Sequence, residues 1–418
     1  MNLFNTFNHE IRFNKNITIV MGENGVGKTI ALRLIEAIFS RRMEYLIEKD
    51  FSEIIITFHK ETWHITRKLD SSPKDPGYPE YVIQVRSTRK GTSPFFVTSG
   101  MLMPRIPSFY VRDGENSWYN RRIEAHFTRE ALFERFGSDV PAIEFPFWYN
   151  HQCEQNRVNL IKTQRLFQDN EKNGQFTTLS VEKYSKELSA LMQEEISKVA
   201  KSTGDLDRTF PKRLLGQMRS NHKYSASEIL GELHKLERHR HELSDLGLLT
   251  ETEVNDAIIS ELGEKDTTIL SVLHLYVKDS WQKLHRYDTL FEKLSLLKEI
   301  INSHFKHKTF TVDSFKGFVV VPERGDSRKS SLDEEIRVEL LSSGEQNELV
   351  LFYELLFKCD DRDLILIDEP EISLHLDWLQ KMIGDLQRIT DVNKASLLIA
   401  THSPDFVGDN YELVQNLS

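Results

Sequence analysis

The chain has 418 residues, room for two or three ordinary domains, with 39% hydrophobic and 28% charged side chains. It has no apolar run of the roughly eighteen residues that a membrane span needs, and its opening, MNLFNTFNHEIRF, lacks the basic-then-apolar layout of a signal peptide; neither a membrane partner nor secretion is expected. A net charge of −10 argues against a general nucleic-acid coat, and two cysteines, Cys153 and Cys359, without a CxxC pair point to a reducing cytoplasm.

Ile17–Met21 is an apolar run that reads as a strand and leads into Gly22-Glu23-Asn24-Gly25-Val26-Gly27-Lys28-Thr29. Leu32, Ile35 and Ile38 then recur at helical spacing between Ile30 and Ser40. Ile54, Ile56 and Phe58 alternate, as do Trp63 and Ile65, and the polar Lys60-Glu61 between them predicts a hairpin. Residues 70–96 carry four prolines and two glycines and read as a long loop or irregular insertion.

Val181, Tyr184, Leu188, Leu191 and Val199 fit an amphipathic helix, and a longer helix is expected from about residue 268 to 305. In a heptad frame, Leu270, Val277, Leu284, Phe291, Lys298 and Phe305 take the first positions. Leu273, Ser280, Tyr287, Leu294 and Ile301 take the fourth, and all but Lys298 and Ser280 are apolar, as in a coiled coil or a bundle. A bundle packed on itself and a protruding arm both satisfy this pattern. His239 and His241 read as a solvated helix face rather than a metal site. Thr309–Val312 and Gly317–Val321 read as strands, and the short apolar runs Leu364–Ile367 and Leu397–Ala400 as strands of a parallel sheet covered on both faces. The expected layout is an N-terminal lobe over 1–175, a helical insertion over 176–305 and a C-terminal lobe over 306–418.

The Gly22–Thr29 segment matches the phosphate-binding P-loop, and its context is right, since a strand precedes and a helix follows. Asn24, Gly25, Val26 and Gly27 would turn backbone N–H groups around the phosphates of ATP. Lys28 would meet the β- and γ-phosphates, and the Thr29 hydroxyl would ligate Mg²⁺. Leu364–Glu371, LILIDEPE, reads as the companion Walker B strand. Asp368 would hold Mg²⁺ at the strand's carboxyl end, and Glu369 would be the general base for the attacking water.

Leu341-Ser342-Ser343-Gly344-Glu345-Gln346 has two readings. It is a good helix N-cap, and it resembles the signature motif of ABC ATPases, in which Ser342, Ser343 and Gly344 face a phosphate from a second chain. Its place 22 positions ahead of the Walker B strand, counted from Ser342 to Leu364, favours the signature reading. Ser373-Leu374-His375 stands where such proteins carry the D-loop, and His402 stands where they carry a switch histidine that touches the γ-phosphate. Gln164, after the strand-like run at Val158, is the candidate Q-loop residue for Mg²⁺ and the attacking water; an ordinary surface glutamine is the alternative. Arg165 contacts nucleotide or pairs with a carboxylate.

These motifs, in the order in which they stand along the chain, resemble ABC ATPases of the SMC, Rad50 and RecF kind. Transporter cassettes are excluded by spacing, because about 310 residues separate Thr29 from Leu341. The phrases LSSGEQNELVLFYELLFK, LILIDEPEISLHLDWLQ and ATHSP look closer to the AAA-family ATPases of bacterial anti-phage systems, the overcoming-lysogenization-defect (OLD) group. Gly204–Leu215, GDLDRTFPKRLL, is similar to the ATPase subunit of PARIS systems, AriA. The resemblance implies an α/β P-loop head of ABC type with an inserted helical, coiled-coil-like domain, and ATP sites shared between two chains in a homodimer or an oligomer built from dimers. OLD nucleases continue into a Toprim domain, and with 16 residues after His402 a nuclease effector is expected on a separate polypeptide. The resemblance further implies that ATP controls the holding and release of that effector in response to a phage protein. Ser343 stands where the transporter pattern has glycine, which is usual in this group. Two other functions are weighed: a DNA-repair ATPase of the RecF or Rad50 kind acting on DNA, and a nuclease in its own right, for which no second carboxylate cluster is found.

Overall fold

The structure is a computed structural model describing residues 2–3, 6–14, 16–70, 80–102, 106–114, 117–136, 143–168, 178–219, 225–249, 267–323, 335–361, 363–372 and 374–417. It divides into two compact units. The first contains Met1–Thr163, Cys359–Ile372 and Met382–Ser418; the second contains Gln164–Lys358 and Ser373–Lys381.

The first unit is built on a five-stranded sheet. β1 (Ile17–Met21), β2 (Val158–Ile161), β3 (Leu364–Asp368), β4 (Ser396–Thr401) and β5 (Val414–Asn416) lie in the order β2-β3-β4-β1-β5, with every pair parallel. The apolar runs predicted at 17–21, 364–367 and 397–400 therefore are central strands, buried on both faces, as a covered parallel sheet requires. The register sets Asp368 beside Ala400 and Thr401 beside Met21. The loops after β1, β3 and β4 thus leave the sheet at one carboxyl edge, where α/β folds place ligands.

Helix α1 (Lys28–Phe39) is apolar on two sides, because it packs against two layers. Leu32 and Ile35 join Val20, Leu366, Leu398 and Ala400 of the parallel sheet. Ala31, Leu34, Ala37 and Ile38 join Ile54, Trp63, Ile65, Ile83, Val85 and Val97 of an antiparallel sheet. That second sheet has four strands, Glu53–Thr57, Thr62–Leu69, Tyr81–Ser87 and Phe95–Thr98, in sequence order. The predicted hairpin is its first half. The loop expected over 70–96 is corrected by its second half: Ile83, Val85 and Val97 alternate into the core, and Pro94 stands just ahead of a strand, where a missing N–H costs little. The other three prolines fall in 71–79, outside the described residues.

In the second unit, α2 (Ser180–Arg219) begins as predicted, with Val181, Tyr184 and Leu188 buried. α3 (Ala226–Asp245) and α4 (Thr267–Leu284) pack through Ile229, Leu233, Leu270 and Val277. Gln217 of α2 donates to Ser271 O (3.2 Å) and Lys283 of α4 to Asp207 Oδ1 (2.7 Å), so α2, α3 and α4 form a bundle. The helix expected to run unbroken to 305 is two. α4 ends at Leu284 and α5 (Asp288–His304) starts afresh. The cause is local polar competition: Tyr287 N bonds back to Leu284 O (2.8 Å), and the Asp288 carboxylate reaches His285 Nδ1 (2.7 Å). Leu284, Tyr287, Leu294 and Ile301 remain buried across the break, so the apolar spacing survives where the helix does not.

α5 and α2 pack on α6 (Ser343–Phe357) and on the antiparallel hairpin Lys308–Asp313 and Gly317–Pro322. Ser185 of α2 bonds both Lys316 O (3.0 Å) and Phe318 N (2.9 Å). Among the described residues, no helix is long and apolar enough to cross a membrane.

Candidate functional site

The loop Gly22–Thr29 joins β1 to α1. Gly25 and Gly27 have φ of 92° and 90°, left-handed values that a side chain resists, so the glycines set the turn. His9 Nε2 donates to Val26 O (2.7 Å) and stacks on Phe7, bracing the loop from outside. Lys28 is 6% exposed, and its ammonium bonds Gly22 O (2.7 Å) and Glu23 O (2.9 Å). Among the described residues it meets no carboxylate. A buried cation that meets only carbonyl dipoles among the described residues, at the start of a helix whose N-cap makes no side-chain hydrogen bond, is a strong attractor for an anion.

Thr29 Oγ1 donates to Asp368 Oδ1 at the end of β3 (3.0 Å). The other carboxylate oxygen accepts from Thr163 Oγ1 (3.2 Å), just past β2. The hydroxyl and carboxylate oxygens are hard donors side by side. They fit Mg²⁺, which takes one or two protein oxygens and fills its shell with water and phosphate. Among the described residues no group of three or more His, Cys, Asp and Glu forms a complete metal cage.

Glu369 follows Asp368 with a left-handed backbone, φ 47°, and its N–H bonds Ala400 O (2.9 Å). His402, after β4, brings Nδ1 to 3.3 Å from both Glu369 Oε1 and Glu371 Oε1. Glu371 is 9% exposed; its Oε1 also accepts from Thr401 Oγ1 (2.5 Å) and from His402 N (3.2 Å). Lys28 and Thr29, and Asp368, Glu369 and His402, which begin 339 positions after Thr29, are thus all carried on the carboxyl edge of one sheet in the first unit.

Ser342, Ser343, Gly344 and Gln164 belong to the second unit. Ser342 caps α6: its hydroxyl accepts from Glu345 N (3.3 Å), and Glu345 Oε2 accepts from Ser342 N (2.9 Å), a complete capping box. The helix-cap reading of the motif is therefore realised in its geometry. Ser342 and Ser343 remain exposed and Gly344 is buried. Lys308 Nζ grips both Glu345 oxygens (2.7 and 2.9 Å). Burial pushes the Glu345 carboxyl up, but Lys308 and Ser342 outweigh it and hold the group below the usual carboxylate range. Gln164 is exposed. Arg165 is buried, and its charge acts on Glu354. Of the D-loop candidate, Ser373 lies outside the described residues and His375 is exposed. His239 stacks on Trp281 and faces Glu242 (3.4 Å), while His241 is exposed.

Sequence reasoning missed three residues of this site. Thr163 had a signal, standing beside the Gln164 candidate at a strand end. Glu371 had one too, as the third carboxylate of Asp368-Glu369-Pro370-Glu371. His9 had none.

A family model described as AAA ATPase domain matches residues 114–407, a stretch that includes Ser342, Asp368, Glu369 and His402 and begins after the P-loop. UvrABC system protein A of Clostridium acetobutylicum is 36% identical over 67 residues, 16% of this chain and 7% of that protein. Two solved structures are similar at low identity. An Smc head domain with an extended coiled coil, from Pyrococcus furiosus and bound to the C-terminal domain of ScpA, is 12% identical, covering 95% of this chain and 86% of its own, with a TM-score of 0.34. An SmcHead bound to the C-winged helix domain of ScpA is 9% identical, covering 95% and 85%, with a TM-score of 0.33.

Proposed function

The chain belongs to the AAA ATPase domain family, and on that premise we propose that it binds ATP with Mg²⁺ and hydrolyses it at sites shared between two copies of the chain. The observation that carries the reading is the Thr29–Asp368 contact of 3.0 Å beside the buried ammonium of Lys28.

In this reading Lys28 and the loop N–H groups hold the β- and γ-phosphates. Thr29 and Asp368 hold Mg²⁺, aided by Gln164, and the metal when bound offsets the charge of the phosphates. Glu369 takes the proton from the attacking water. His402 fixes the γ-phosphate. Ser342, Ser343 and Gly344 arrive from the second copy and complete the phosphate's shell with a hydroxyl and the N–H groups of a helix start. A single copy then binds ATP but turns it over poorly; binding draws two copies together and hydrolysis lets them part.

The use of that cycle follows from the resemblance in the motifs. The chain is a sensor or scaffold of an anti-phage system: it holds a separate effector, a Toprim-type nuclease, and releases it in response to a phage-encoded protein. A DNA-repair ATPase of the RecF or Rad50 kind is the second reading; the net charge of −10 weighs against it.

The ATPase reading is tested with Lys28→Ala, which is expected to abolish nucleotide binding measured with a fluorescent ATP analogue; affinity equal to the parent's refutes the site. Purification with the neighbouring genes expressed separates the two uses. A nuclease that travels with the chain supports the sensor, and DNA-stimulated turnover of the chain alone supports the repair reading.

A further inference from the structure

The His402 ring is flanked by two carboxylates, and only one of them has work in the proposed reaction. Glu369 must turn toward water to take its proton. Glu371 faces no such demand. It sits in the turn after β3, 9% exposed, with Oε1 shared among Thr401 Oγ1, His402 N and, at 3.3 Å, His402 Nδ1. Its Oε2 is buried and finds no hydrogen-bond partner among the described residues. Leaving a carboxylate oxygen buried and unsatisfied costs free energy. A neutral acceptor would serve Thr401 and the backbone N–H equally well. What a charge adds is attraction for a hydrogen on Nδ1.

We infer that Glu371 is a positioning residue that fixes the orientation of His402 and holds a hydrogen on its Nδ1. Ionised carboxylates only accept, so the ring atom between Glu369 and Glu371 carries a hydrogen; phosphate oxygens only accept as well, so Nε2 must carry a second hydrogen to donate to the γ-phosphate. When Glu369 turns to water, Glu371 keeps the ring in place, because it is tied to the residue's own backbone N–H and to its neighbour Thr401. The inference rests on the reading of His402 as the residue that contacts the γ-phosphate.

The test compares full-length parent, Glu371→Gln, Glu371→Asp, His402→Ala and Glu371→Gln/His402→Ala for kcat, KM, nucleotide affinity and melting temperature. Glu371→Gln keeps an acceptor for Thr401 and the backbone and removes the charge. Its kcat is expected to fall about 10–100-fold, the scale seen when carboxylates that orient metal-bound histidines are removed, with affinity and melting temperature close to the parent's. Glu371→Asp, which keeps the charge, is expected to retain more kcat than Glu371→Gln, and adding Glu371→Gln to His402→Ala is expected to cost nothing further. Parental kcat in Glu371→Gln, with His402→Ala inactive, overturns this inference alone. The same loss in both backgrounds also overturns it, because Glu371 then acts on the scaffold and not through the histidine. Parental kcat in His402→Ala overturns the reading of His402 and this inference with it.

Discussion

Glu369 combines a proposed chemical role with a measurable backbone cost. Its φ of 47° lies in the left-handed region, where a side chain costs about 1–2 kcal/mol relative to right-handed backbone, and Pro370 behind it narrows its choices further. The hydrogen bond from Glu369 N to Ala400 O (2.9 Å) holds it there. Two variants separate strain from charge. Glu369→Gln keeps the side chain's bulk and the strain, whereas Glu369→Gly relieves the strain at an unfolded-state entropy cost of about 0.5–1 kcal/mol. Both lose the carboxylate that faces His402, so that term cancels between them. Glycine is therefore expected to be the more stable of the two by about 0.5–1 kcal/mol, a rise of roughly 1–3 °C in melting temperature. Both are expected to lose turnover by about 10²–10⁴-fold while still binding ATP. Thermal melts and phosphate release measure the two effects. Glutamine melting at or above glycine refutes stored strain at 369, and undiminished turnover in Glu369→Gln removes it as general base.

Lys308→Met is expected to cost about 1.5 kcal/mol at neutral pH, because it removes the cation that grips Glu345 at the start of α6. Glu345 has a lowered folded value, so its stabilisation is complete above the ordinary carboxylate value and is lost as pH falls through the lowered one. Parent and variant denaturation midpoints should converge as pH drops below about 4; a constant gap contradicts the assignment. Burial pushes the Cys153 thiol up to about 11 against the pull of Arg41. About one thiol in a thousand is then ionised at pH 8, so iodoacetamide should leave Cys153 unlabelled in the native protein over hours, by peptide mass mapping. Complete labelling within minutes disproves that environment.

The central sheet was legible because its strands are short apolar runs with chemistry at their ends: Ile17–Met21 before glycines and Leu364–Ile367 before Asp368. The four-stranded sheet was half hidden. Prolines and Gly91 dominated the reading of 70–96, although Ile83, Val85 and Val97 carried a strand's alternation. The break at 285–287 was invisible to heptad counting, because no glycine or proline marks it; a histidine and an aspartate close it with side-chain bonds. In the site, residues whose types declare their chemistry were singled out from the sequence. Thr163, Glu371 and His9 were not, since a hydroxyl, a carboxylate or an imidazole gains meaning there only from the atom it faces.

The central claim is that each ATP site takes Lys28 from one copy and Gly344 from another, and mixing two inactive variants tests it most directly. Lys28→Ala lacks a working P-loop and Gly344→Asp a working signature, yet a mixed pair contains one intact combination. Random pairing of equal amounts makes half the dimers mixed, each with one of its two sites intact, so turnover should return to about a quarter of the parent's. Two variants that stay inactive when mixed, while each still pairs with itself, would contradict a shared site.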